Sequence, residues 1–216
     1  MELLSLTTLL DRISDFVRDE IARFSKELDQ RFKEERLDEE QAVGLYEAHA
    51  EEFDVFHSFF PNAVRQSILT LACSLFESRL MEACKYLEDS GNVCVNLPWA
   101  SFAKDSGIKR SASFLKKNFK IHPEDHPTWS KIVDVYSIRN CFIHAHGNIK
   151  LMKADQQQEL KDALKRLSQY EIIETDGNIV TSESFLRFVM DDMKAWFEGF
   201  EKACKENNLI GPEYWP

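Results

Sequence analysis

The chain is predicted to be mainly all-α, an up-and-down helical bundle carrying one short β-hairpin. Three observations predict this. Apolar residues recur at helical spacing through most of its 216 residues. Only 7 Gly and 6 Pro are present, too few for a many-turned β fold. A single turn signal of hairpin type, Asp176-Gly177, stands between two short β-branched runs.

The elements follow in order. Leu6, Leu9, Leu10, Ile13, Phe16, Val17, Ile21, Phe24 and Leu28 form one stripe of a long amphipathic helix over residues 3–32. An acidic helix is expected from Asp38 to His57, and a third from Pro61 to Leu87 with Val64, Ile68, Leu71, Ala72, Leu75, Phe76, Leu80 and Leu87 on its stripe. Asp89-Ser90-Gly91-Asn92 should end it, since Gly and Asn tolerate left-handed cap geometry. One or two short helices fit residues 98–119, and a Pro-containing loop with His122 and His126 follows. Pro127 suits the first turn of a helix reaching Ala145 and stopping at Gly147-Asn148. A helix over 154–170, the hairpin over 171–181, and a last helix capped by Ser182 or Ser184 and running to Asn207 complete the chain. Residues 1–57 read as an N-terminal helical extension and 58–216 as the main helical domain.

The 44% hydrophobic and 30% charged content argues against disorder, and sixteen Phe and four Trp supply bulky core material. The N-terminal segment runs into charges too early for a signal peptide, and no apolar stretch is long enough to span a membrane. Five scattered cysteines (Cys73, Cys84, Cys94, Cys141, Cys204) without a CxxC pair fit a reducing, cytoplasmic setting and argue against a zinc site. Net charge of -10 disfavours non-specific nucleic-acid binding overall. Against it stands one basic island, Lys104, Lys109, Arg110, Lys116, Lys117 and Lys120, with Asp105 the one acid between 104 and 120. Phosphate-binding loops, GxSxG, HExxH and dinucleotide fingerprints are all missing from the sequence.

The most informative run is WSKIVDVYSIRNCFIHAHG, residues 129–147. At about 100° per residue, Trp129, Ile132, Val133, Tyr136 and Ile143 share a face, with Asn140 in its middle and Arg139 and His144 on its shoulders. Buried without partners, such groups cost about 1–3 kcal/mol each, and more for a charge, so internal hydrogen bonds, a second subunit or a ligand should compensate them. Val135, Ile138 and Phe142 lie opposite, so the helix should be covered on two sides.

Arg139-Asn140-Cys141-Phe142-Ile143-His144 resembles the signature of the HEPN family (higher eukaryotes and prokaryotes nucleotide-binding): an Arg, often followed by a polar residue, with a His four to six residues on. ILTLACSLFESRLMEACKYL, residues 68–87, is similar to that family's first core helix. The resemblance covers roughly residues 60–205. It implies a HEPN-type bundle and a metal-independent endoribonuclease without cofactor, in which the 2′-hydroxyl attacks its neighbouring phosphate. Histidine, with an ordinary pKa of about 6.5, suits the proton transfers. His144 is then the general acid or base, Arg139 the phosphate clamp, and Asn140 a group that orients His144 from four residues away.

Arg139 and His144 diverge by about 140° around the helix, so two copies in a homodimer would pool their groups in one cleft, as family members commonly do. The basic island would grip the RNA backbone, tRNA or mRNA. The biological role implied is a toxin or anti-phage effector, with an antitoxin or other regulatory protein as a further partner. His146 and Glu77 are auxiliary candidates; a helix-end residue and a solvated helix charge are their plainer readings. A metal reading of His144-Ala145-His146 lacks a nearby carboxylate or cysteine at ligand spacing. The alternative function is a non-catalytic HEPN-like module that binds nucleotide or a partner protein, with Asn140 and His144 as a satisfied internal pair.

Overall fold

The fold is described from a computed structural model, and the residues described are 2–35, 39–50, 55–90, 95–105 and 107–210. The chain is mainly all-α, with a two-stranded antiparallel hairpin as its β content among the described residues. Helix α1 spans Glu2–Glu35 and α2 Glu39–Ala48, and part of the acidic helix expected to reach His57 lies outside the described residues. A π-type turn, Val55–Phe59, leads into the 30-residue helix α3, Phe60–Asp89. A 3-10 turn at Trp99–Phe102 precedes α4, Gly107–Phe119. Helix α5 is Trp129–Ala145, beginning two residues after Pro127, and α6 is Ala154–Leu167. Strands β1 (Ile173–Thr175) and β2 (Asn178–Val180) precede α7, Glu183–Glu206. The expected cap residues Gly91 and Asn92, and Cys94, lie outside the described residues.

Local chemistry explains most boundaries. Asp176 and Gly177 take φ of 54° and 90°, the two left-handed residues that a type I′ hairpin turn needs. Ser182 caps α7, its hydroxyl accepting the Phe185 N–H at 3.0 Å. Helix α5 ends where His146 (φ 51°) and Gly147 (φ 81°) turn left-handed. The freed backbone then pairs with the hairpin: Ile149 N–H donates to the Gly177 carbonyl (2.7 Å) and Ile179 N–H to that of Gly147 (2.9 Å). The end of α5, which carries His144, is thereby tied to β2.

Helix α5 is the hub, packed by α3, α6 and α7. Its buried residues are Trp129, Ile132, Asp134, Val135, Tyr136, Ile138, Cys141, Phe142 and Ala145. Burial on more than one side agrees with the expectation for this helix, but the favoured arc does not. Ile143 is 41% exposed, and Val133 is only half-buried. The arc through Val135, Ile138 and Phe142 is as deeply buried as the other, because three helices surround α5 and leave one flank open. Leu71 of α3 is likewise 44% exposed, on the outer side of a helix whose core face is Ile68, Ala72, Phe76 and Leu80. Leu6 and Leu10 of α1 join the same core cluster as α3, α5 and α7.

Several buried polar groups are paired across elements. Asp134, 8% exposed, takes two hydrogen bonds from the Arg166 guanidinium at 2.8 and 2.6 Å, locking α5 to α6. Asn62 links the start of α3 to the hairpin: its Nδ2 donates to the Ile179 carbonyl, and its Oδ1 accepts from the Thr181 N–H and hydroxyl. Asn62→Ala should cost about 1–3 kcal/mol, since it leaves buried backbone groups unpaired. Urea denaturation checks this: the midpoint should fall with an unchanged slope, and an unmoved midpoint would mean the three bonds contribute nothing.

Candidate functional site

Open on the flank of α5 that the core leaves uncovered is a cleft of about 460 Å³. Helix α5 contributes Val133, Tyr136, Ser137, Arg139 and Asn140, and α3 contributes Glu77. The start of α4 supplies Gly107, Ile108 and Lys109, while Met152 and the α6 residues Gln156, Glu159 and Leu160 close the far side. Three of the residues singled out from the sequence, Glu77, Arg139 and Asn140, thus come together, with Lys109 of the basic island beside them.

Arg139 is half-buried and its Nε is buried without a hydrogen-bond partner in the protein. One terminal nitrogen donates to Asn140 Oδ1 at 3.1 Å. The guanidinium lies close enough to Cys73, on α3, to act on its thiol, as does the Glu77 carboxylate. Burial dominates there and pushes Cys73 up to about 12, so it is inert as a nucleophile. Tyr136 forms the floor, its hydroxyl donating to the Cys73 carbonyl at 2.6 Å. Burial, then Cys73 and Glu77, raise its pKa, and Arg139 pulls the other way. The phenol stays neutral and holds α3 against α5.

Glu77 faces the beginning of α4. A Cβ added at Gly107 would stand 3.6 Å from each Glu77 carboxylate oxygen, and Gly107 has φ of 58°. A carboxylate at this position meets the positive end of the α4 dipole.

His144 lies one turn beyond Asn140, about 6 Å further along the helix axis. It is exposed and outside the cleft lining. Asn140 gives its carbonyl oxygen to Arg139, not to His144, so the expected orienting pair is replaced by a contact between sequence neighbours. His146 is exposed and caps α5 in left-handed geometry, which agrees with its plainer helix-end reading.

The basic island divides. Lys109 reaches the cleft, and Lys116 follows seven residues on, about 10 Å along the same face of α4. Lys104, Lys117 and Lys120 are exposed. Lys116 pairs with Glu124, an acid that lies beyond the 104–120 window and reaches it only through the fold. Beside Lys116, and with smaller help from its own backbone, the Glu124 carboxyl is held below its ordinary range. Arg110 is half-buried and committed to the fold: its guanidinium sits 4.3 Å over the Trp99 ring and donates to the Trp99 carbonyl at 3.0 Å.

Sequence reasoning missed Ser137, Gln156 and Glu159, whose helical surface positions carry no distinguishing signal. Among the described residues, no group of three His, Cys, Asp or Glu side chains is placed to hold a metal ion. No helix of the described residues is long and apolar enough to cross a membrane. Compared with protein-family models, curated proteins and solved structures, the chain matches none of them.

Proposed function

We propose that the chain is a metal-independent endoribonuclease of HEPN type, acting in the cytoplasm on tRNA or mRNA as a toxin or anti-phage effector. The observation that carries this reading is the placement of Arg139 and Asn140 in an open cleft whose lining also includes Lys109. Two cations in one lining, one of them a guanidinium, suit a phosphodiester. In the reaction, the RNA 2′-oxygen bonds to phosphorus and loses its proton to a base, while the bond to the 5′-oxygen breaks and that oxygen is protonated. His144, one turn along the same helix, is the side chain for one of these transfers. Arg139 stabilises the charge gathering on the non-bridging oxygens. A homodimer brings a second His144 and Arg139 towards the first pair, and Ile143, exposed between Asn140 and His144 on α5, supplies apolar surface for it.

A second reading has its own observation. His144 stands outside the cleft lining, so Arg139 and Asn140 would instead serve a non-catalytic module that binds nucleotide or a partner protein. Incubating a labelled RNA pool in EDTA separates the two. Wild type should cleave and leave 2′,3′-cyclic phosphate ends, and His144→Ala should slow this by about 100- to 10,000-fold without changing the melting temperature. Folded wild type that cleaves no RNA in such a pool would favour the binding module.

A further inference from the structure

The cleft carries more than a phosphate site requires. Glu77 and Glu159 match Lys109 and Arg139 in number, so the two cations suit a phosphate on their own side of the cleft while the carboxylates call for hydrogen-bond donors elsewhere in the ligand. The charges are also sorted. Arg139 of α5 and Glu77 of α3 both act on Cys73 and Tyr136, where these two helices meet, and Glu77 faces the start of α4, where Lys109 also lies. Glu159 and Gln156 stand apart on α6, both exposed, and neither is needed by the reaction above. Ser137 of α5 has its hydroxyl 3.4 Å from Glu159 Oε1, a contact that turns this carboxylate towards the α5 side of the cleft. Val133 and Met152, both half-buried, also line the cleft, and the Met thioether suits the face of an aromatic ring.

We infer that the α6 wall is a base-recognition subsite that takes an unstacked guanine, Glu159 accepting its N1–H and 2-amino hydrogens. The inference deepens the ribonuclease reading and rests on it for the phosphate position at Arg139 and Lys109. A carboxylate offers two adjacent acceptors, and guanine alone among the four bases presents two adjacent donors on its pairing edge. Adenine and cytosine place one donor beside an acceptor, and uracil one donor between two acceptors. Gln156, three residues before Glu159 on the same face of α6, supplies the amide N–H for the guanine O6. Single-stranded RNA with a splayed base is the substrate class that such a site reads, and a cleft of 460 Å³ lies within the roughly 300–1,000 Å³ of small-molecule sites.

The test uses the full chain and its Glu159→Gln variant. Calorimetric titration with guanosine, adenosine, cytidine and uridine 3′-monophosphates measures base preference. Cleavage of four oligonucleotides, each with one ribonucleotide in a DNA chain, measures the same preference in the reaction. Wild type should prefer guanine, and Glu159→Gln should reduce the preference by about 5- to 150-fold with an unchanged melting temperature. Equal binding of all four, binding of none, or a preference indifferent to Glu159→Gln overturns the subsite. Glu159-dependent guanine binding without cleavage of any RNA leaves the subsite standing and removes the nuclease. Cleavage without base preference does the reverse.

Discussion

Arg139→Ala is expected to lower the rate of RNA cleavage by about 100- to 1,000-fold while leaving the fold in place. The guanidinium is half-buried between α3 and the cleft, with one N–H given to Asn140 and its Nε unpartnered. Its hydrogen bond goes to its own sequence neighbour and holds no second element, unlike that of Arg110, whose guanidinium ties α4 to the Trp99 turn. Removing Arg139 takes away an unsatisfied donor together with a charge, so the stability change should be small. Arg139→Lys should restore the charge without the two-point fork and recover only part of the rate. Single-turnover cleavage in EDTA, paired with thermal melting, checks both. An alanine variant that cleaves at the wild-type rate would remove Arg139 from the site. One that melts far below wild type would reassign it to the fold.

The helices were legible because their causes are local. Apolar spacing placed α1, α3, α5, α6 and α7 to within a few residues, and Asp176-Gly177 identified the hairpin because few residues accept two successive left-handed positions. What spacing cannot show is how many neighbours a helix has. In α5 the stripe through Tyr136 and Ile143 looked like the core face, yet α3, α6 and α7 bury the opposite arc too and leave Ile143 in solvent.

The site was legible in the same partial way. Arg139 and Asn140 could be found because they are adjacent on one helix that is otherwise apolar. Glu77 required a second helix, and it joins Arg139 only because α3 packs on α5. Glu159 and Gln156 are two polar residues on the solvent side of α6 and become distinctive only when α6 closes the cleft. The charge island failed for the mirror-image reason. A window of sequence counts only its own charges, and the acid that pairs with Lys116 is Glu124, brought round by the following turn.

The largest loss of stability is expected from Trp196→Ala, at about 3–5 kcal/mol. Trp196 of α7 is 2% exposed and touches aromatic rings from three helices. Phe76 of α3 meets it edge-on at 5.5 Å, Trp129 at the start of α5 at 5.4 Å, and Phe200 stacks at 5.2 Å. Truncation leaves a cavity that these large, mutually supporting rings cannot close without abandoning their own contacts. A domain held by about 5–15 kcal/mol would lose much of its reserve. Trp196→Phe should cost less, since one ring remains to fill the gap. Urea unfolding followed by circular dichroism should show a markedly lower midpoint for the alanine variant, and a midpoint equal to wild type would contradict the packing argument. Because Trp129 begins the helix that carries Arg139 and Asn140, the variant also separates fold from chemistry. Below its own unfolding transition, its activity per folded molecule should stay near wild type, whereas Arg139→Ala should lose activity with its stability retained.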